Sequence, residues 1–149
     1  MIIHLSPHVV VRDASRAAGW YVQVLGATEH GRIPVPGDKF MQIELHFGDT
    51  TVMLCDEFPD AGIVGPQTMG ATHGAFHLLT DDVSALWERA LAAGAKEVQP
   101  LGERFWGERF GQLLDPFGYR WNVSEKIRDV PRAEIEKAAW AAFGGEPRT

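Results

Sequence analysis

A strand, a capped helix and a glycine stop occur twice in this chain, and that repeat constrains the fold more than any other feature. His8-Val9-Val10-Val11 reads as a strand, and Asp13-Ala14-Ser15 can cap the helix after it. Ala17, Ala18, Tyr21, Val24 and Leu25 recur at helical spacing, and Gly26 suits the left-handed position that ends a helix. The same grammar returns at Phe76-His77-Leu78-Leu79. Asp82-Val83-Ser84 then supplies the cap, Val83, Leu86, Trp87, Ala90 and Leu91 form the apolar stripe, and Gly94 ends it. Gly26-Ala27-Thr28-Glu29 is echoed by Gly94-Ala95-Lys96-Glu97, 68 residues later. A duplicated unit explains this better than one irregular fold.

Strand-like stretches follow each helix. Phe40 to Phe47 alternates, turns at Gly48-Asp49 and returns as Thr51 to Cys55. The second copy offers Gly111 to Leu114, a turn at Asp115-Pro116-Phe117-Gly118, and Tyr119 to Ser124. Each copy therefore reads as βαβββ. The boundaries expected are a single domain over 1–149, with module one at 2–58, a Gly/Pro/Thr-rich linker at 59–74 and module two at 75–126. A C-terminal helix is expected at 131–143, with Ile135, Ala138, Ala139 and Ala142 on one face, packing on the body or on a second subunit.

Composition excludes several classes of function. A net charge of −6 with no Lys/Arg cluster argues against nucleic acid as a partner. No apolar run approaches the ~20 residues needed to cross a bilayer, and Met1 to Leu5 is too short for a signal peptide. One cysteine, Cys55, rules out an intrachain disulfide framework and suits a reducing cytosol, so a cytoplasmic protein is expected. There is no phosphate-binding glycine loop, no Gly-x-Ser-x-Gly elbow and no CxxC pair.

Specific strings resemble one family. Trp20-Tyr21 through Leu25-Gly26-Ala27 looks like the aromatic-Tyr…Leu-Gly helix ending of the vicinal-oxygen-chelate superfamily, which holds glyoxalases, bleomycin-resistance proteins and dioxygenases. Phe105-Trp106-Gly107-Glu108-Arg109-Phe110-Gly111, then Asp115-Pro116-Phe117-Gly118 and Trp121, is similar to its PhnB-like, metal-poor branch. Asp129-Val130-Pro131 and the acidic helix after it resemble that branch's tail. The likeness covers residues 3 to 143. It implies an α+β fold, with two βαβββ modules forming curved mixed sheets around a central cleft, a C-terminal helix, and a homodimer.

Metal-dependent relatives hold a metal through four ligands, one from each of four strands, and use it to polarise an oxygen substrate. Carried onto this chain, the four positions fall at Ser6, Met53, Ala75 and Asn122. That set does not make a hard divalent-metal site, so no metal and no cofactor are expected. His8 shares the face of Ser6, and His77 that of Ala75. With Glu44 they are either a displaced metal or acid–base site or polar groups lining a pocket. Phe105, Trp106 and Phe110 lie in a Gly-punctuated stretch and either pack or form a flat aromatic lid over a ligand. Arg109 or Arg104 either bridges to Asp115 or holds an anionic ligand.

The resemblance implies binding of a small aromatic or peptide-like molecule, as antibiotic-sequestering proteins of this fold do, without metal-dependent turnover. Ser6, His8, Met53, His77, Phe105, Trp106, Arg109 and Asn122 are the expected ligand-binding residues. The alternative is an enzyme of the same superfamily, a lyase, isomerase or dioxygenase. It would use a rebuilt metal site or a metal-free acid–base pair around His8, Glu44 and His77.

Overall fold

Asp13 and Asp82 start the two long helices in the same way. Each carboxylate accepts the backbone N–H three residues on, from Arg16 at 2.9 Å and from Ala85 at 3.0 Å, which satisfies a donor the helix itself leaves free. The computed structural model describes residues 1–145; the last four residues of the expected 1–149 span lie outside them. Helix α1 runs Ala14–Leu25 and stops at left-handed Gly26; α3 runs Val83–Ala92, with Ala93 as its cap and left-handed Gly94 directly after.

Around these helices stand two four-stranded sheets. Strands β1 (His8–Val11), β2 (Thr28–Val35), β3 (Lys39–Phe47) and β4 (Thr50–Asp56) pair in the order β1-β4-β3-β2. Strands β5 (Phe76–Leu79), β6 (Lys96–Glu103), β7 (Glu108–Leu114) and β8 (Arg120–Lys126) repeat it as β5-β8-β7-β6. In each sheet the first strand lies parallel to the last, and the other pairs are antiparallel. The chain is therefore α+β with two mixed sheets, as the repeat predicted. No helix among the described residues is long and apolar enough to cross a membrane.

The segment between the halves is more ordered than its composition suggests. It holds a short 3₁₀ turn, Pro59–Ala61, and one turn of helix α2, Pro66–Met69. It lies tightly against β1, since a Cβ on Gly65 would sit 2.5 Å from the Val10 carbonyl oxygen. The Gly-punctuated stretch expected as one loop is divided: Phe105-Trp106 form a turn, and Arg109 and Phe110 belong to β7. Helix α4, Arg132–Ala142, is present, but none of its residues is buried. On the face expected to pack, Ile135, Ala138 and Ala139 are half-buried.

The core is continuous across both halves. Val9, Val11, Ile43, Leu45, Val52 and Leu54 of sheet one and Leu113, Trp121 and Val123 of sheet two bury against α1 and α3. Each large side chain so buried is worth about 1.5–3 kcal/mol. The helices bridge directly: Trp20 Nε1 donates to the Ala93 carbonyl at 2.9 Å, and Arg89 Nε to the Val24 carbonyl at 2.8 Å. Buried Asp56 accepts from the N–H of Ala14 at 2.8 Å and of Phe40 at 2.7 Å. In the second half Glu125 accepts from the N–H of Val83 at 3.1 Å. In both halves an acid on the last strand thus meets the start of the helix, where negative charge is favoured.

Candidate functional site

Strand alternation leaves each sheet one face turned away from its helix. On that face of sheet one, His8 lies opposite Met53, and Met53 opposite Glu44. On that face of sheet two, His77 lies opposite Asn122, and Asn122 opposite Gln112. The two rows are equivalent under the repeat, so His8 matches His77, Met53 matches Asn122, and Glu44 matches Gln112. The registry aligns four predicted residues, His8 with Met53 and His77 with Asn122. It also adds Gln112, which sequence reasoning missed although alternation from Phe110 points to it.

The second row carries the richer chemistry. Gln112 Nε2 donates to Asn122 Oδ1 at 2.7 Å, leaving the Asn122 amide N–H groups directed elsewhere. His77 Nε2 shares a 3.0 Å hydrogen bond with the Oγ of Ser124, a fully buried side chain. Beside the row runs a chain of rings. Phe110 stands 6.2 Å from His77 centroid to centroid, Trp106 meets Phe110 edge-on at 5.4 Å, and Phe105 meets Trp106 edge-on at 4.9 Å. Trp106 is held by its Nε1 donating to Glu108 Oε2 at 2.9 Å, and the Arg104 guanidinium lies 5.7 Å from the Phe110 ring centre.

The first row is plainer. Glu44 Oε1 is bound by His46 Nε2 at 2.7 Å, and the His46 ring stacks on His30 at 3.7 Å. Ser6 precedes β1, with its Oγ bound to His4 Nε2 at 2.6 Å, and Ala75 directly precedes β5. Cys55 is a buried residue of β4, opposite Val10 of β1, and burial together with neighbouring Asp56 pushes its thiol up.

Two expectations fail on geometry. Among the described residues no group of three His, Cys, Asp or Glu side chains is placed to hold a metal ion. The displaced set His8, Glu44 and His77 is therefore not assembled within the chain: His8 and Glu44 flank Met53 in sheet one, while His77 belongs to sheet two. Nor does an arginine bridge to Asp115. That carboxylate accepts from Tyr21, Trp121 and the N–H groups of Phe117 and Tyr119, at 2.6 to 2.9 Å. Arg109 alternates to the opposite face from Phe110 and donates to Ser84 Oγ at 2.7 Å, whereas Arg104 Nη2 donates to the Pro100 carbonyl at 2.9 Å.

A cavity of about 490 Å³ opens between the halves, beside β5, lined by Phe47, Val52, Phe76, Leu78, Leu86 and Trp121 among others. Val52, Phe76 and Trp121 belong to the helix-facing side, and His77 is the one member of the two rows that also lines this cavity.

Comparison with known proteins agrees with this geometry. The chain is 40% identical over 137 residues to an uncharacterised protein of Mycobacterium bovis, covering 90% of each. Among solved structures, a Pseudomonas aeruginosa protein is 27% identical with a TM-score of 0.68, over 85% of this chain and all of that one. The PhnB protein of Bacillus cereus shares the fold, with a TM-score of 0.65 at 13% identity over 83% of this chain and 99% of that one. The family described as the Glyoxalase/Bleomycin resistance protein/Dioxygenase superfamily matches residues 2–123, most of the chain. The chain belongs to that superfamily.

Proposed function

We propose that the chain binds a small aromatic or peptide-like molecule on the open face of sheet two, without metal-dependent turnover. The observation that supports this most is the row His77–Asn122–Gln112 standing beside the rings of Phe110, Trp106 and Phe105. Amide and imidazole groups can meet amide or hydroxyl groups of a ligand, and the rings offer a stacking or edge-on wall. Sequestration of an antibiotic is the biological form such binding would take. Ser6, His8 and Met53 are the matching positions on the open face of sheet one, and we propose that they bind the ligand there in the same manner. Arg109, committed to Ser84 on the other face, has no part in it.

A homodimer in the cytoplasm is part of the proposal. The chain exposes 9477 Å², against roughly 7,500 Å² for a compact monomer of this mass. Ile2, Ile3, Leu5, Trp140 and Phe143 are among the exposed apolar residues that a second copy would cover.

The test is calorimetric titration of aromatic and peptide antibiotics, alongside metal analysis of the purified protein. Trp106→Ala and Asn122→Leu are expected to weaken binding at least tenfold with the fold retained. One equivalent of tightly held transition metal, lost in His77→Ala, overturns the metal-free reading.

A further inference from the structure

The two halves treat the free edges of their first strands differently. Met53 and Asn122 are equivalent by register, so Thr50 of sheet one stands where Tyr119 stands in sheet two. Tyr119 comes from the long turn Asp115–Tyr119 and reaches the outer edge of β1. There the Val10 N–H donates to its hydroxyl, and the hydroxyl donates to the Val10 carbonyl, both at 3.0 Å. One phenol thus satisfies both outward peptide groups of Val10, while its ring lies 5.8 Å from that of Phe76. The segment around Gly65 closes the same edge from outside.

Among the described residues the β5 edge has neither cover. Its N–H at Thr80 bonds inward to the Ser124 carbonyl at 2.9 Å, so by alternation the peptide groups of Leu79, the match of Val10, point outward. The turn facing them is only Gly48-Asp49, and Thr50 has no ring to fill the space. The chain leaving β8 goes elsewhere, with Ile127 and Arg128 both donating to the Gly107 carbonyl. What remains is the cavity of about 490 Å³ that Leu79 and Thr80 line together with Phe47, Phe76 and Trp121.

We propose that this cavity is a second binding site, beyond the one on the open sheet face, and that it takes a small phenol. The ring fills the space among Phe47, Phe76 and Trp121, and the hydroxyl accepts from the Leu79 N–H and donates to the Leu79 carbonyl. Tyr119 performs the same act intramolecularly on β1, which is why a phenol is the chemistry the cavity fits. Its volume lies within the ~300–1,000 Å³ usual for small-molecule sites and leaves room for substituents on the ring.

The experiment is an amide-resolved NMR titration of the full chain with 4-methylphenol, with toluene as the isostere lacking the hydroxyl. Saturable shifts are expected at Phe47–Val52 and Phe76–Thr80, with toluene at least tenfold weaker. Val52→Phe, which fills the cavity, is expected to weaken 4-methylphenol at least tenfold. Leu79→Pro removes the outward N–H, and Leu79→Ala controls for the side chain that is lost with it; only the proline variant is expected to abolish the preference for the phenol over toluene, a readout that stands even if Val52→Phe fails to fold. Shifts confined to Gln112, Asn122 and Trp106, or equal binding of phenol and toluene to the unaltered chain, overturn the proposal. So does a β5 edge whose resonances respond to protein dilution and not to the phenol, which marks it as covered by a second copy.

Discussion

The Tyr21 hydroxyl donates a 2.6 Å hydrogen bond to Asp115 Oδ2, joining the helix of the first half to the turn of the second. Trp121 Nε1 donates to the same oxygen at 2.9 Å, while the other oxygen takes the N–H groups of Phe117 and Tyr119. Burial raises the Asp115 pKa despite these four donors, and it also raises that of Tyr21. Because the folded pKa lies above the unfolded one, this group's contribution is fully present below the unfolded value and is lost as pH rises through the folded value. Asp115→Asn loses acceptor capacity, and at neutral pH should cost about 1–3 kcal/mol. In urea unfolding series the deficit should widen as pH falls toward ~4, near the unfolded carboxylate value. A deficit independent of pH contradicts the assignment.

Gly111 is needed for space, not for backbone freedom. A Cβ there would lie 2.5 and 2.7 Å from ring atoms of Trp87, a buried residue of α3. Gly111→Ala is expected to lower stability by about 1–3 kcal/mol, the usual cost of overpacking. The urea midpoint should fall while the slope of the transition stays unchanged.

The equivalent acids Asp56 and Glu125 should differ in weight. Asp56 is buried and holds two N–H groups at 2.8 and 2.7 Å, whereas Glu125 holds one at 3.1 Å. Asp56→Ala strands one buried and one half-buried donor and is expected to cost about 2–4 kcal/mol. Glu125→Ala should cost less than half as much. Equal losses in thermal unfolding would show that the two halves are not asymmetric at this point.

Cys55 should be inert in the folded protein. Its thiol is buried, and burial and Asp56 both disfavour the thiolate, which is the reactive form. Alkylation by iodoacetamide at pH 8 is expected to be slower than for a free cysteine peptide and to accelerate in step with urea unfolding. Fast labelling of the native chain contradicts the burial.

The repeat, the two caps at Asp13 and Asp82 and the Gly48-Asp49 hairpin were legible because they depend on neighbours a few residues apart. Alternation likewise put His8 and His77 on the faces where the structure has them. Asp115 was misjudged for the opposite reason. Arg104 and Arg109 are its near neighbours in sequence and so read as its partners, and only the fold surrounds it with Tyr21, 94 residues away. Arg109 was misjudged because Phe105 to Gly111 reads as a loop; once β7 begins at Glu108, alternation turns Arg109 and Phe110 to opposite faces.

By itself the sequence determined two βαβββ halves and which side chains share a strand face, since periodicity and caps are local properties of the chain. The tertiary structure alone decided what those faces meet. His8 and Glu44 flank Met53 in sheet one, and the packing of the two sheets does not bring His77 into a metal-holding group with them. Tyr119 seals the edge of β1, and its counterpart Thr50 leaves β5 open. That difference depends on turn length and on contacts across more than a hundred residues, which no local pattern encodes.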